Sequence, residues 1–127
     1  MRRIVALFLM LVSGWAAAQS FPAKPIRMLV GFSPGGAPDI IARLLGIRLQ
    51  EGLGQAIVIE NRPGASGNIA AEVTAKAAAD GYTVLMGNVS LTISAHTQPK
   101  PPFDVAQDLD PVGMVASLPL MLVVNTS

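Results

Sequence analysis

Short apolar runs alternate with amphipathic stretches along the chain after residue 19. Three runs, at residues 26–30, 56–60 and 82–86, have the length and composition of buried strands. Between them, residues 38–51 and 67–78 repeat apolar side chains at helical spacing, which predicts two helices. Strands that alternate with helices over such short distances imply right-handed βαβ crossovers. The sequence therefore predicts an α/β fold built on a parallel sheet.

The apolar residues of each predicted helix fall on one face, which we expect to pack on the sheet. These residues are Ile41, Leu44, Leu45 and Leu49 in the first helix, and Ile69, Val73 and Ala77 in the second. Pro38 suits the first helical turn, where its missing N–H is no loss. Ser66 is the predicted N-cap of the second helix. Glu72 and Lys76 should form an ion pair on its outer surface.

The pattern changes after Gly87. His96 falls in a predicted polar loop, and the prolines of residues 98–103 exclude a regular helix or a central strand there. Residues 109–116 and 118–124 are apolar enough to predict two further strands. Because the chain ends shortly after the second of these strands, the sequence favours part of a longer protein over a complete one.

Two glycine-rich turns each join a predicted strand to a predicted helix. The first, residues 31–39, reads GFSPGGAPD, and the second, residues 62–68, reads RPGASGN. Such turns point backbone N–H groups and the positive end of a helix dipole into a crevice, which suits a phosphate or carboxylate. Both turns should lie at the carboxyl edge of the sheet, where Asn88 and Ser90 could donate further hydrogen bonds. This convergence favours a small-anion site over the alternative that the glycines only make tight turns. Phe32 either covers that ligand or packs against the first helix.

The amino terminus has the pattern of a cleavable export signal. Arg2 and Arg3 precede an apolar run at residues 4–12, and small residues at 16–18 offer a cleavage site before Gln19. Removing the signal leaves seven basic and eight acidic residues, so the mature net charge is near −1. No basic run is present, which argues against nucleic acid or an anionic membrane surface as a partner. The absence of cysteine excludes disulfides and thiol chemistry.

Catalysis and cofactors find little support in the sequence. His96 has no carboxylate at a spacing that would orient it as a general base. No metal-ligand spacing occurs. A dinucleotide site would need the Gly-x-Gly-x-x-Gly fingerprint, which the first turn lacks, although Glu60 ends the second strand where a ribose-binding acid would stand. We expect no cofactor, no metal and no enzyme activity.

Several segments, in order and spacing, resemble the Bug-type periplasmic solute-binding receptors of tripartite tricarboxylate transporters. They are residues 21–27 (FPAKPIR), 31–36 (GFSPGG) with Asp39, 60–68 (ENRPGASGN), 80–83 (DGYT) and 102–104 (PFD). The resemblance covers nearly the whole chain after the signal. It implies the parallel-sheet βαβ lobe of a periplasmic-binding-protein, or Venus-flytrap, fold. By the same resemblance, residues 1–18 are a signal peptide and residues 19–127 are the N-terminal lobe, with the second lobe missing.

The resemblance also implies a function. Receptors of this family clamp small carboxylates, such as di- and tricarboxylates, acidic amino acids or aromatic acids, and deliver them to membrane transporter subunits. Their first two loops hold the carboxylate. The ligand-binding residues expected here, from the resemblance together with the donors after the third strand, are Phe32, Ser33, Gly35, Gly36, Ala37, Asp39, Ala65, Ser66, Gly67, Asn68, Asn88 and Ser90. The alternatives are an exported α/β enzyme and a sensory or adaptor protein with the same fold.

Overall fold

Three parallel strands form the centre of the fold in the computed structural model, which describes residues 20–97 and 102–119. The strands are β1 (Ile26–Val30), β2 (Ile57–Asn61) and β3 (Thr83–Met86). They lie in the order β2-β1-β3, and β1 pairs in parallel with both neighbours. The prediction of an α/β fold with a parallel sheet is confirmed. The predicted signal peptide, residues 1–18, lies outside the described residues.

Helices cover the two faces of this sheet. They are α1 (Ala37–Leu53), α2 (Asn68–Ala75) and α3 (Val89–Thr97), and a short 3₁₀ turn, Ala65–Gly67, precedes α2. One core contains Met28 and Val30 of β1 under α1, and the other contains Leu85 of β3 with α2 and α3. Leu85 pairs with Leu29 of β1, which lies between Met28 and Val30. Because successive side chains of a strand point to opposite faces, the two cores lie on opposite sides of the sheet.

In α1 and α2, the residues that are buried against the sheet are small ones rather than the large apolar residues predicted. In α1 the buried residues are Asp39, Ala42 and Gly46, whereas Leu44 is 61% exposed. In α2, Ala70 and Ala71 are buried, while Ile69 and Val73 are exposed. The predicted inner face was therefore wrong for Leu44, Ile69 and Val73, and Ala77 lies beyond the end of α2. Leu45 and Leu49 do pack on the core, as expected. The predicted Glu72–Lys76 ion pair is also present.

The region after β3 differs most from the sequence prediction. His96 lies in the last turn of α3 rather than in a polar loop. The Asn88 side-chain Oδ1 accepts a hydrogen bond from the Ser90 N–H at 3.0 Å, which starts this helix. Residues 109–116 form no strand. Val112, Met114 and Val115 are exposed, whereas Leu109 is half-buried against the core that α2 and α3 share. Most of the predicted strand at 118–124 lies outside the described residues. Within the ranges that the structure describes, no helix has the length and apolar character needed to cross a membrane.

Candidate functional site

The loops that follow the three strands meet at the carboxyl edge of the sheet. We call residues 31–36 the first loop, 62–67 the second loop and 87–88 the third loop. A Cβ atom added to Gly31 would lie only 2.5 Å from the Gly67 Cα, so the first two loops touch through their backbones. The Ser90 hydroxyl donates a hydrogen bond to the Ser66 carbonyl oxygen at 2.6 Å, which joins the start of α3 to the second loop. The predicted meeting of these segments is confirmed.

A buried carboxylate organises the first loop. Asp39, in the first turn of α1, is 2% exposed. Its Oδ2 accepts hydrogen bonds from the Gly35 N–H at 2.9 Å and from Arg43 Nε at 3.0 Å, and its Oδ1 accepts one from Asn61 Nδ2 at 2.9 Å. The bond from Arg43, followed by those from Gly35 and Asn61, holds the pKa of the Asp39 carboxyl well below its usual range. Asp39 is therefore an anion at neutral pH.

Asn61, at the end of β2, completes this network. Its Nδ2 also donates to the Phe32 carbonyl oxygen at 3.0 Å, and its Oδ1 accepts from Arg43 Nη2 at 3.2 Å. Sequence reasoning assigned no role to Asn61 or Arg43. The available signals were the Asp39–Arg43 spacing of four residues within a helix and a polar side chain at the end of a buried strand. The three side chains together fix the first loop to the neighbouring strand.

The second loop is held by an unusual backbone conformation. Four consecutive residues have positive φ: Gly64 (133°), Ala65 (45°), Ser66 (57°) and Gly67 (95°). The Gly67 N–H donates to the Gly64 carbonyl oxygen at 2.9 Å and closes the turn. Ser66 lies within the 3₁₀ turn, one residue before the cap position, so it is not the N-cap of α2. Gly67 takes that position without a side-chain hydrogen bond. Positive φ at non-glycine residues is strained and is found preferentially at functional sites.

The twelve predicted site residues differ in their exposure to solvent. Ser33, Gly35, Ala37, Ala65, Ser66 and Asn88 are exposed, Phe32, Gly36 and Ser90 are half-buried, and Asp39, Gly67 and Asn68 are buried. Phe32 packs against the core beneath α1. The Asn68 side chain accepts a hydrogen bond from the Ser94 hydroxyl at 2.9 Å and thereby joins α2 to α3. Gly36 is the N-cap residue of α1, as Gly67 is of α2. Both glycines thus begin a helix at the same edge.

Much of the loop edge faces solvent, since Ser33, Gly35, Ala65 and Ser66 are all exposed. A cavity of about 660 Å³ does occur, but it lies between α3 and residues 102–106, and none of its lining residues belongs to the three loops. Glu60, considered above as a ribose-binding acid, is paired with Arg27 at 2.7 Å and with Arg62. These arginines lower the pKa of the Glu60 carboxyl. Residues 20–97 and 102–119 contain no cluster of three potential metal-ligating side chains.

A parallel α/β lobe with backbone donors gathered at the carboxyl ends of its strands is characteristic of proteins that bind small solutes at that edge. The chain belongs to the tripartite tricarboxylate transporter family of receptors, whose family model matches residues 41–127. The resemblance to Bug-type receptors is thereby confirmed.

Individual relatives agree with this assignment. The chain is 48% identical over 111 residues to protein BugT of Bordetella pertussis, an alignment that covers 86% of this chain and 34% of BugT. It is similar in structure to MatC of Rhodopseudomonas palustris with bound malate, at 33% identity and a TM-score of 0.67, covering 75% of this chain and 33% of MatC. A second R. palustris protein, solved with adipate, gives 40% identity and a TM-score of 0.60 over 68% of this chain and 29% of that protein. The described residues thus form a βαβ lobe of the periplasmic-binding-protein fold, and the chain spans about a third of the length of these relatives.

Proposed function

We propose that this chain is the carboxylate-binding N-terminal lobe of a periplasmic receptor that serves a tripartite tricarboxylate transporter. The observation that carries the proposal is the meeting of three strand-to-helix loops at one edge, with the first two in backbone contact at Gly31 and Gly67. The bound malate and adipate of two relatives indicate the chemical class of the ligand. Membrane transporter subunits are the proposed partner of the complete receptor.

The geometry suggests which groups would hold the ligand. The Gly35 N–H already donates to Asp39, so it is not available to a ligand. The N–H of Ala37 lies in the first turn of α1, where helix geometry provides no partner. Ala65 and Ser66 are exposed on the strained second loop, Ser33 is exposed on the first loop, and Asn88 is exposed on the third loop. We propose that these five residues contact the carboxylate, directly or through water.

The remaining predicted residues would shape the site. Phe32, Gly36 and Gly67 would form its floor, because they are partly or fully buried beneath the exposed loop residues. Asn68 and Ser90 would hold α2 and the second loop in place through their hydrogen bonds to Ser94 and Ser66. Residues 1–18 would act as the export signal, and residues 19–127 would form one wall of a two-walled site in the periplasm. An anion on an open edge remains partly hydrated, so the lobe alone should bind weakly.

A titration followed by nuclear magnetic resonance tests this proposal, because it detects weak binding residue by residue. Malate and adipate are added to the purified chain, with the neutral diamide of adipate as a matched control. We expect both acids to shift the amide signals of Ala37, Ala65 and Ser66, and the diamide to leave them unchanged. Gly52, exposed near the far end of α1, should not respond. Equal responses to acid and diamide, or no response at the loops, would contradict the proposal.

A further inference from the structure

The carboxylate of Asp39, one of the predicted ligand contacts, already has all its hydrogen-bond partners within the lobe. Three donors converge on it: the Gly35 N–H, Arg43 Nε and Asn61 Nδ2, at 2.9, 3.0 and 2.9 Å. The side chain is almost completely buried. An anionic ligand placed against this carboxylate would be repelled rather than bound. The carboxylate therefore has a use other than direct recognition.

We propose that Asp39 is a positioning residue that holds the first loop in its binding conformation and does not touch the ligand. This inference rests on the proposed carboxylate-binding function of the loop edge. Asp39 restrains the backbone of the first loop on both sides of Pro34. On one side it accepts from the Gly35 N–H, and on the other it orients Asn61, which donates to the Phe32 carbonyl oxygen.

Arg43 balances the negative charge of the buried Asp39 carboxylate. A buried anion below an anion-binding surface would oppose binding if its charge were not balanced. Arg43 Nε donates to Asp39 at 3.0 Å while the Arg43 side chain as a whole remains about half exposed. Because Arg43 Nη2 also donates to Asn61 Oδ1 at 3.2 Å, the same side chain fixes the orientation of the Asn61 amide. The network is therefore neutral overall, so the buried carboxylate adds no net negative charge beneath the loop edge.

The substitution Asp39→Asn tests this role with little change in shape. All three partners of Asp39 are donors, and an amide has only one oxygen to accept from them, so one or two donors lose their partner. We expect hydrogen exchange of the Gly35 amide to become about tenfold faster or more, the scale expected for the loss of a charge-assisted hydrogen bond. Binding of malate and adipate should weaken at a temperature at which circular dichroism shows the variant to be fully folded. A purely structural role would leave the affinity of the folded protein unchanged.

Glu51→Gln provides the matched control. Glu51 also pairs with an arginine of α1, Arg48, at 3.0 Å, but this pair is exposed and far along the helix from the loop. Like Asp39→Asn, this substitution removes one negative charge from α1. Because the Arg48–Glu51 pair does not contact the first loop, we expect it to change neither hydrogen exchange at Gly35 nor ligand binding.

Asn61→Ala provides the second, independent variant and carries the test if Asp39→Asn does not fold. It keeps the carboxylate but removes the donor to the Phe32 carbonyl oxygen, so it should loosen the loop in the same way. The double variant should be much less than additive, since both changes break one network. Unchanged Gly35 exchange in Asp39→Asn, or tighter binding of the acids, would overturn the proposal. If the unaltered chain binds neither acid, the proposed function fails, while the exchange measurement still decides whether Asp39 holds the loop.

Discussion

The first and second loops occupy equivalent places in the fold, but their conformations are fixed by different interactions. Each leads from a parallel strand to the N-terminus of a helix at the same edge of the sheet. The first loop is held by side chains, because Asp39 and Asn61 bind its backbone on both sides of Pro34. The second loop is held mainly by its own backbone, which passes through four residues of positive φ and is closed by the Gly67–Gly64 hydrogen bond. The Ser90 hydroxyl adds one side-chain hydrogen bond, to the Ser66 carbonyl oxygen. The two loops share one feature: the helix that follows each of them has a glycine at its N-cap and no side-chain cap.

The comparison shows that two loops at the same edge of a sheet can be held in place by two different kinds of interaction. A side-chain network depends on ionisation, since the Asp39 carboxylate must remain charged to accept from three donors. A left-handed turn depends instead on which residue types tolerate positive φ. The two loops should therefore respond to different perturbations, although they touch at Gly31 and Gly67.

The largest effect is expected from Gly31→Ala, which attacks the contact between the loops. The new methyl carbon would lie 2.5 Å from the Gly67 Cα and 3.1 Å from the Gly67 carbonyl oxygen. Both atoms belong to the backbone, so one loop must move. We expect the free energy of unfolding to fall by about 2–3 kcal/mol, as for other overpacked sites. Urea unfolding followed by circular dichroism measures this change.

Gly52→Ala is the control for that substitution. Gly52 lies in α1, and an added Cβ would meet no atom within 4 Å. Because alanine favours helices more than glycine does, this change should stabilise the fold by up to about 1 kcal/mol. A similar loss of stability from both substitutions would show that the two loops are not in tight contact.

The second-largest expected effect is a dependence of the free energy of unfolding on pH, which arises from Asp39 at the first loop. In the unfolded chain Asp39 should titrate at its ordinary pKa of about 3.9, whereas hydrogen bonds from Arg43, Gly35 and Asn61 lower its pKa in the folded protein. Its contribution to stability is therefore complete above the unfolded pKa and is lost as the pH falls from there towards the lower folded pKa. Asp39→Asn should reduce the slope of unfolding free energy against pH in that range.

Urea unfolding between about pH 5 and about pH 2 measures that slope. The lowered pKa values of Glu60 and Asp80 leave a remaining slope in the variant. Ala65→Gly, in the second loop, serves as the comparison, since it changes no ionisable group and should leave the slope intact. Identical slopes in Asp39→Asn and the unaltered chain would contradict the role assigned to this carboxylate.

The positions of the strands and of the two glycine-rich loops could be predicted from the sequence, because apolar runs and glycine-rich turns are local signals. The burial of Asp39 could not. An aspartate in the first helical turn is commonly an exposed partner of the helix dipole, and its burial here depends on Asn61, which lies 22 residues away. Long-range partners of this kind leave no pattern in a single sequence.

The other differences also have physical causes. Ser66 is a preferred N-cap residue type, but it lies within the 3₁₀ turn before α2, and Gly67 takes the cap position instead. Leu44 and Ile69 follow helical spacing, yet the neighbouring Ala42 and Ala70 allow a closer approach of helix to sheet. Residues 89–94 contain several β-branched side chains, which disfavour a helix locally, and the Asn88 cap was the signal that sequence reasoning missed.

The smallest effect, Ala65→Gly, tests the second loop alone. Ala65 has φ of 45°, a conformation that costs a residue with a Cβ about 1–2 kcal/mol. Glycine removes that strain but gains freedom in the unfolded chain, so we expect a net stabilisation of about 0.5–1 kcal/mol. Ala95→Gly, within α3, is the matched control, because the same change in an ordinary helix should destabilise by about 1 kcal/mol. Opposite signs in urea unfolding would show that the left-handed turn is strained in solution. A loss of stability at position 65 as large as that at position 95 would mean that Ala65 is relaxed and that the second loop is held in another way.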